Sequence, residues 1–469
     1  MLTVLGRAAR PCDGIPRREL LRVGGLTLFG GLNLTNLLRA TEPAASGKGA
    51  AKSVVLVSLF GGPPHMDMFD LKPNAPSTVR GEFNPIGTSV PGVQICELMP
   101  KIATLMNRAT LIRTYSHKYN SHNPYNVLTG YDGGVDAVNY FAKRTDHPSI
   151  GAVCQMLQMG TDDVPLHVLM PAYPGYSQAL RRAGPYGGYL GSQYDPLCTT
   201  CEPTFTREAK DFYDPVQAVG EPIPPSMQDL PGLTVDVLNQ RSSLLDQFDN
   251  QLMKRDRDGS VARLDEFRQK AFALLTSTKT RQAFDLSREP NAMRDRYGRT
   301  LWGSSVLVAR RLVEAGSKFV TVTWEAKQAN HWDLHSNNFG MLRSHLPILD
   351  HFVHALVTDL EERGMLDQTL VIVMGEMGRT PRINASAGRD HWPQCGFSLL
   401  FGGGTKRGIV IGQTDRRAEW PMERPVSAGD MVATIYHLLG VDTTLTVQDL
   451  SGRPVHICHG GSPVSEAIA

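Results

Sequence analysis

Residues 52–60 read KSVVLVSLF and run directly into GGPP at positions 61–64. An unbroken β-branched, apolar run that ends at a glycine turn is typical of a strand buried on both faces of a parallel sheet. Similar runs recur at 110–114 (TLIRT), 318–324 (KFVTVTW) and 369–374 (TLVIVM), with helical patterns between them. This alternation predicts an α/β fold in three layers, with a mostly parallel central sheet and helices on both faces.

Residues 171–315 interrupt the alternation. The first part, 171–235, is rich in Pro, Gly and Tyr, and so long an irregular stretch in a compact domain is usually a lid or an insertion. The second part, 236–315, carries many charges and has apolar residues at three- and four-residue steps, which indicates helices. We therefore expect a domain over 51–469 with a loop-rich and helical insertion at about 171–315.

The first 50 residues have the features of an export signal. Arg17 and Arg18 precede a glycine-rich uncharged stretch, Val23–Leu38, which is shorter than the roughly 20 apolar residues of a membrane-spanning helix. Small residues follow, so we expect a twin-arginine-type signal over 1–50, recognised by the twin-arginine translocase and cleaved within 40–51. The mature protein would then lie in the periplasm, in the cell envelope or outside the cell. An amphipathic N-terminal helix of the mature fold is the alternative.

The charge distribution and the apolar pattern argue against a nucleic-acid partner and a membrane span, whereas the cysteines leave two interpretations open. The chain has a net charge of +2, of which the first 50 residues carry +4, which leaves −2 for the remainder. No nucleic-acid partner is therefore expected, and the lack of another long apolar run argues against a stable membrane span. Cys198 and Cys201 have CxxC spacing, and a local disulfide and unpaired cysteines remain equally open.

Polar residues gather where the predicted strands end. Ligands of open α/β sheets bind beyond the carboxyl ends of the strands. The candidates there are His65, Asp67 and Asp70 after the first strand, Asp333 and His335 after the strand at 318–324, Glu376 after the strand at 369–374, and His391 just before a strand at 397–402. Any one pair could be a loop hydrogen bond or a helix cap. Mixed imidazole and carboxylate donors suit zinc or manganese better than calcium, so their convergence predicts a divalent-metal site.

Several longer motifs carry a family resemblance. They are the double-arginine leader, GGPPHMDMFDLKP (61–73), NSHNPYNVLTG (120–130), HWDLH (331–335), GEMGRTP (375–381), GRDHWPQCGFSLLFGGGTKRGIVIG (388–412) and GDMVATIYHLLGVD (429–442). Through them the chain resembles the domain of unknown function 1501 family, exported proteins related to the alkaline phosphatase/sulfatase superfamily. The resemblance implies an alkaline phosphatase-like fold and metal-dependent hydrolysis of phosphate or sulfate esters. The implied substrate is a small anionic ester or a sulfated or phosphorylated polymer.

The resemblance also implies roles for the metal-site candidates. Asp333, His335 and His391 look like the ligands of one metal, although the superfamily spaces the Asp and the first His four apart rather than two. Glu376 stands where the superfamily has the Asp of the second metal site, and Met377 stands where its His would be. A thioether is a poor ligand for a hard divalent ion, so the second site departs from the family pattern.

The nucleophile departs from the pattern as well. The superfamily position falls on Asn120, which cannot attack, whereas Ser121 is adjacent and His122 could serve as a ligand or a proton donor. Arg379 is a candidate for holding the substrate anion. The competing hypothesis is a non-catalytic, envelope-associated binding protein that keeps the fold and a degenerate metal site.

Overall fold

The computed structural model describes residues 49–161, 163–225, 277–326 and 331–469. The export signal predicted for residues 1–50 lies outside this part of the chain except for its last two positions. The helices predicted between 236 and 276 also lie outside it.

Short and long strands alternate with helices along the described chain. The strands are β1 (Ser53–Ser58), β2 (Pro85–Gly87), β3 (Gln94–Cys96), β4 (Ala109–Ser116), β5 (His167–Met170), β6 (Leu197–Cys198), β7 (Thr204–Phe205), β8 (Ala218–Val219), β9 (Phe319–Thr323), β10 (Thr369–Met374), β11 (Gly378–Arg379), β12 (His391–Trp392), β13 (Gly396–Phe401), β14 (Ile409–Ile411), β15 (Gln413–Thr414), β16 (Pro421–Glu423), β17 (Val426–Ser427), β18 (Thr446–Gln448) and β19 (Pro454–His456). The α-helices are α1 (His65–Met68), α2 (Ser77–Arg80), α3 (Pro100–Leu105), α4 (Tyr125–Thr129), α5 (Ile150–Met156), α6 (Thr278–Phe284), α7 (Asn291–Tyr297), α8 (Leu301–Ala315), α9 (Asn338–Glu362) and α10 (Ala428–Leu439).

Nine of the described strands form one central sheet. Their order is β14-β4-β13-β10-β1-β9-β5-β6, and β17 also pairs with β4. β1 lies between β9 and β10 and is parallel to both, with Val55 opposite Val320 and Val371. Only β13 runs against its neighbours, β10 and β4, within this sheet. The prediction of a mostly parallel sheet is confirmed.

Both faces of the sheet are covered. Alternate residues of a strand point to opposite faces, and in β1 Val55 and Val57 pack in one apolar cluster whereas Val54 and Leu56 pack in another. The first cluster includes the apolar faces of α3, α8 and α9, and the second includes those of α4, α5 and α10. The three-layer α/β prediction is therefore confirmed, and residues buried on both sides explain the unbroken apolar runs.

The described parts of the predicted insertion differ in structure. Residues 171–225 consist largely of turns and the short pairs formed by β6, β7 and β8, whereas 278–315 is helical. α8 contacts β1, β9 and α9, so its apolar residues belong to the main core.

Two sequence expectations concern the membrane and the cysteines. In the described residues, no helix has the length and apolar character that a membrane span requires. No disulfide bond joins Cys198 to Cys201 in this structure.

Candidate metal centre

Several loops meet at one edge of the central sheet. Residues 61–70, 331–335, 376–379 and 117–122 follow the carboxyl ends of β1, β9, β10 and β4. His391 precedes β13, which is antiparallel to β10 and so begins at the same edge. The topology therefore brings together segments that are far apart in the sequence.

One cluster of histidines around a carboxylate forms at this edge. It comprises His122, Asp333, His335 and His391, whose candidate ligand atoms all lie within 4.8 Å of one another. Asp333 Oδ1 is 2.9 Å from His122 Nε2, 3.0 Å from His335 Nε2 and 3.4 Å from His391 Nε2. Elsewhere in the described chain, no group of three or more His, Cys, Asp or Glu residues comes together in this way.

Each imidazole of the cluster is oriented by a hydrogen bond at Nδ1, the ring nitrogen that faces away from the cluster. Each Nδ1 donates to a carboxylate or carbonyl oxygen: His122 to Glu376 Oε1 (2.6 Å), His335 to Asp390 Oδ1 (2.8 Å) and His391 to Asn120 O (2.7 Å). A neutral imidazole that carries its proton on Nδ1 has its lone pair on Nε2. Metal-bound histidines are usually oriented by such hydrogen bonds to their other nitrogen.

The residues of the cluster fit a divalent metal ion. The Nε2 atoms of His335 and His391 lie only 3.0 Å apart, and two lone pairs at that distance repel unless a cation lies between them. His122 Nε2 is buried and makes no aligned hydrogen bond, although Asp333 Oδ1 is 2.9 Å away. Three nitrogens and one oxygen converging in this way match the donor set of zinc or manganese sites.

The spacing of Asp333 and His335 follows from the local structure. Trp332 and Leu334 are fully buried, whereas Asp333 and His335 are partly exposed. Because burial alternates, the two apolar residues anchor the segment in the core and the two polar residues lie on its other side. A gap of two residues therefore suits ligands on an extended segment, where the superfamily uses a gap of four.

Gly61 lets two of these loops approach closely. Its φ is +110°, and a Cβ atom at this position would lie 2.3 Å from the backbone nitrogen of Asp333. Its own N–H donates to Glu376 Oε1 at 2.8 Å. A side chain here would push the 331–335 segment away from the end of β1, so the glycine turn after β1 is required by the site.

Arg379 lies buried beside the cluster. It pairs with His391 across the β11–β12 hairpin, and its side chain has no exposed surface. Its Nη2 donates to Asp333 Oδ1 at 2.5 Å. The other N–H groups donate to backbone oxygens of Gly61, Gly62 and residue 389, and Nη1 also lies 3.4 Å from His335 Nε2. The guanidinium thus fixes and partly neutralises Asp333, and its donors are turned toward the protein.

The carboxylates of the site are held in the ionised form. Burial alone would raise the pKa of Asp333, but its contacts with His122, His335 and His391 lower that pKa far below its ordinary value. Burial alone would also raise the pKa of Glu376. The hydrogen bond from His122 outweighs this effect, so the pKa of Glu376 is lowered. The pKa of His335 is raised, mainly by Asp333. Protons and a metal ion therefore compete for the same Nε2 atoms.

Four of the seven predicted metal ligands, namely His65, Asp67, Asp70 and Glu376, lie outside the cluster. The first three have other partners: His65 Nε2 donates to Ala418 O (2.8 Å), Asp67 pairs with Arg389 (2.7 Å) and Asp70 pairs with Lys72 (3.0 Å). Glu376 contacts the cluster only through His122, so it holds a ligand in place. Of the predicted ligands, Asp333, His335 and His391 are brought together, and His122, predicted as a catalytic residue, joins them.

Two further residues of the site had no assigned role in the sequence. Asp390 and the carbonyl of Asn120 orient His335 and His391. Asp390 directly precedes His391, and that adjacency is the one signal that could have indicated it. Ser121, the predicted nucleophile, lies between Asn120 and His122, and its Oγ is buried with no hydrogen-bond partner among the described residues.

Comparisons with known proteins assign the chain to a family. No curated protein matches the chain. Among solved structures, the sulfatase PsFucS1 from Pseudoalteromonas sp. is 14% identical, with a TM-score of 0.38, over 92% of this chain and 73% of that one. A protein in the alkaline phosphatase superfamily from Vibrio parahaemolyticus is 10% identical, with a TM-score of 0.34, over 85% and 69%. The lipoteichoic acid synthase LtaP from Listeria monocytogenes is 9% identical, with a TM-score of 0.35, over 86% and 75%. The family described as "Protein of unknown function (DUF1501)" matches residues 51–468 of the chain. The chain therefore belongs to the DUF1501 family.

Proposed function

We propose that this protein is an exported, metal-dependent hydrolase of phosphate or sulfate esters that acts at the His122–Asp333–His335–His391 cluster. One observation carries the proposal: three Nε2 lone pairs, each fixed by a hydrogen bond at Nδ1, converge on one carboxylate oxygen. Such an arrangement is unfavourable without a cation and is the geometry in which a metal is held.

The chain's own residues would divide the work. The four cluster residues would hold zinc or manganese, which when bound supplies a Lewis acid for an ester oxygen. Ser121, which adjoins His122 in the sequence, would be the hydroxyl that attacks the ester, and its Oγ has no hydrogen-bond partner among the described residues. Arg379 holds Asp333 in position and has its donors turned toward backbone oxygens, so the substrate anion would be held mainly by the metal.

The proposal is tested by metal analysis and by turnover. The purified mature protein should contain about one equivalent of tightly bound divalent metal and should cleave an aryl phosphate or an aryl sulfate. His391→Ala removes one nitrogen donor and should lower both the metal content and the hydrolysis sharply. The matched control is His456→Ala, an exposed histidine that lies on β19 outside the cluster.

The outcomes separate the two candidate functions. One outcome would support the non-catalytic binding protein: the unmodified protein binds metal, His391→Ala loses it, and neither hydrolyses an ester. Asn120 and Met377, which depart from the superfamily pattern, favour that alternative. Unmodified protein that binds no divalent metal would refute the metal-dependent hydrolase.

Export and location belong to the same proposal. The paired arginines before a glycine-rich run support passage through the twin-arginine translocase and a final location in the periplasm, in the cell envelope or outside the cell. Sulfated or phosphorylated polymers and small anionic esters are the proposed partners at that location.

A further inference from the structure

The charges around the cluster can be counted from the contacts already described. Asp333 is the central carboxylate, and Glu376 and Asp390 hold two of its histidines, at 2.6 and 2.8 Å. Arg379 brings one positive charge to within 2.5 Å of Asp333. With neutral imidazoles, as metal binding requires, the three carboxylates and one guanidinium leave two negative charges.

The charged residues that surround the cluster at greater distance do not change this net charge of −2. Arg182 is buried and donates to the carbonyl oxygen of His122 at 2.7 Å. Glu325 is also buried and accepts from the N–H groups of Gly175 and Ser177. These two buried charges are opposite and offset each other. In the loop that carries His122, Lys118 is exposed, and Asp136, which holds the N–H of Asn120, is exposed as well and opposite in sign. Exposed charges that do not contact the cluster are screened by solvent. Asp390 is also 55% exposed, but it is counted because it contacts a ligand histidine at 2.8 Å.

One divalent ion would therefore bring the site to neutrality. A singly charged ester bound to the ion then leaves one uncompensated negative charge, whereas a doubly charged phosphate monoester leaves two. Because Asp333, Glu376 and Arg379 are largely removed from water, each extra charge is poorly screened. Arg379 cannot offset the second charge, since its charge is already counted and its donors face Asp333, His335 Nε2 and the backbone.

We propose that the loaded site selects singly charged esters, either sulfate monoesters or phosphodiesters, over doubly charged phosphate monoesters. This inference rests on the proposed function for the metal and the site, and it narrows the substrate class of that site. The feature that causes this selection is the excess of carboxylates over positively charged side chains around the ligand histidines.

The selection is measured first by binding. Methyl sulfate and methyl phosphate have nearly the same shape, and at pH 8 the phosphate carries two charges because its second pKa is about 6. Calorimetric titration of the metal-loaded protein should show methyl sulfate binding at least about tenfold more tightly. In turnover, an aryl sulfate, an aryl methyl phosphodiester and an aryl phosphate with the same aryl group distinguish the two singly charged classes from each other and from the monoester.

Glu376→Gln tests the cause. Glutamine keeps an oxygen that can accept from His122 Nδ1 and from the N–H of Gly61, but it removes one negative charge. The ratio of methyl phosphate to methyl sulfate affinity should rise about tenfold in this variant. Glu361→Gln is the matched control, because that residue forms an exposed ion pair with Arg108.

Each result is decisive. Equal or tighter binding of methyl phosphate, with faster cleavage of the aryl phosphate, would overturn the inference and leave the proposed hydrolase standing. Metal-loaded protein that binds neither anion would also overturn the inference. Tighter binding of methyl sulfate without cleavage of any ester would refute the hydrolase and retain the charge selection as a binding property.

Discussion

Asp67 provides a sharp test of how the candidate metal centre is built. The sequence places it among the metal ligands, but in the structure it forms a buried ion pair with Arg389, whose side chain is 0% exposed while that of Asp67 is 1% exposed. Arg389 Nε and Nη2 reach its two oxygens at 2.7 and 2.8 Å, and Asn338 Nδ2 donates to Oδ2 at 2.9 Å. Both oxygens are thus engaged by protein donors.

Asp67→Asn keeps the size of the side chain and removes its charge. One of the two oxygens becomes an NH2 group that faces an N–H of Arg389, and the guanidinium is left buried without a counter-charge. Breaking a buried ion pair by removing one partner typically lowers the free energy of unfolding by about 3–5 kcal/mol. That is a large share of the roughly 5–15 kcal/mol that stabilises a folded domain.

The assay is urea unfolding followed by tryptophan fluorescence, together with metal analysis of the folded protein. We expect a lower midpoint for Asp67→Asn and an unchanged metal content per folded molecule. Asp367→Asn is the control, because the pair of Asp367 with Arg407 is exposed and should contribute about 0–1 kcal/mol. Loss of metal from Asp67→Asn at unchanged stability would refute this reasoning and make Asp67 a ligand.

Three further predictions follow from the same structure. Asp390→Ala removes the acceptor that orients His335 and should weaken metal binding about 10- to 100-fold, measured by competition with a chelator, while the fold by circular dichroism stays unchanged. Burial lowers the pKa of His167 to about 3, so the unfolded chain takes up a proton below pH about 6.5 that the folded chain does not. Stability should therefore be full above pH 6.5 and fall toward pH 3, and His167→Leu should reduce the slope of the free energy of unfolding by about 1.4 kcal/mol per pH unit; an unchanged slope would contradict this. Replacing Arg17 and Arg18 with Lys should leave an unprocessed precursor inside the cell, visible on a blot, whereas equal export would remove the twin-arginine interpretation.

The fold was predictable because its signals are local. The runs at 53–58, 319–323 and 369–374 lie at the centre of the sheet, where both faces are covered. The strands therefore contain no charged residue, and their polar residues are only Ser and Thr, so they stand out from the helical patterns. The edge of the sheet at which the polar segments gather followed from the order of strands and helices.

The composition of the candidate metal centre was only partly predictable, because it depends on contacts between distant residues. Nothing near Asp67 in the sequence indicates a partner 322 positions away, so its carboxylate could not be distinguished from that of Asp333. His122 and Glu376 posed the converse problem. Their hydrogen bond joins residues 254 positions apart and decides which one faces the cluster and which one stands behind it.

The position of Arg379 explains how such distant segments keep a common geometry. The residue lies opposite His391 in the β11–β12 hairpin, its guanidinium donates to Asp333, and its remaining donors bind the backbone at Gly61 and Gly62. A single buried side chain thus connects the ends of β1, β9 and β10 with the segment that carries His391. Since a planar guanidinium has donors in fixed directions, the four segments cannot shift independently. The ligand atoms are therefore held in place by the protein before any ion binds, which is what a tight and selective metal centre requires.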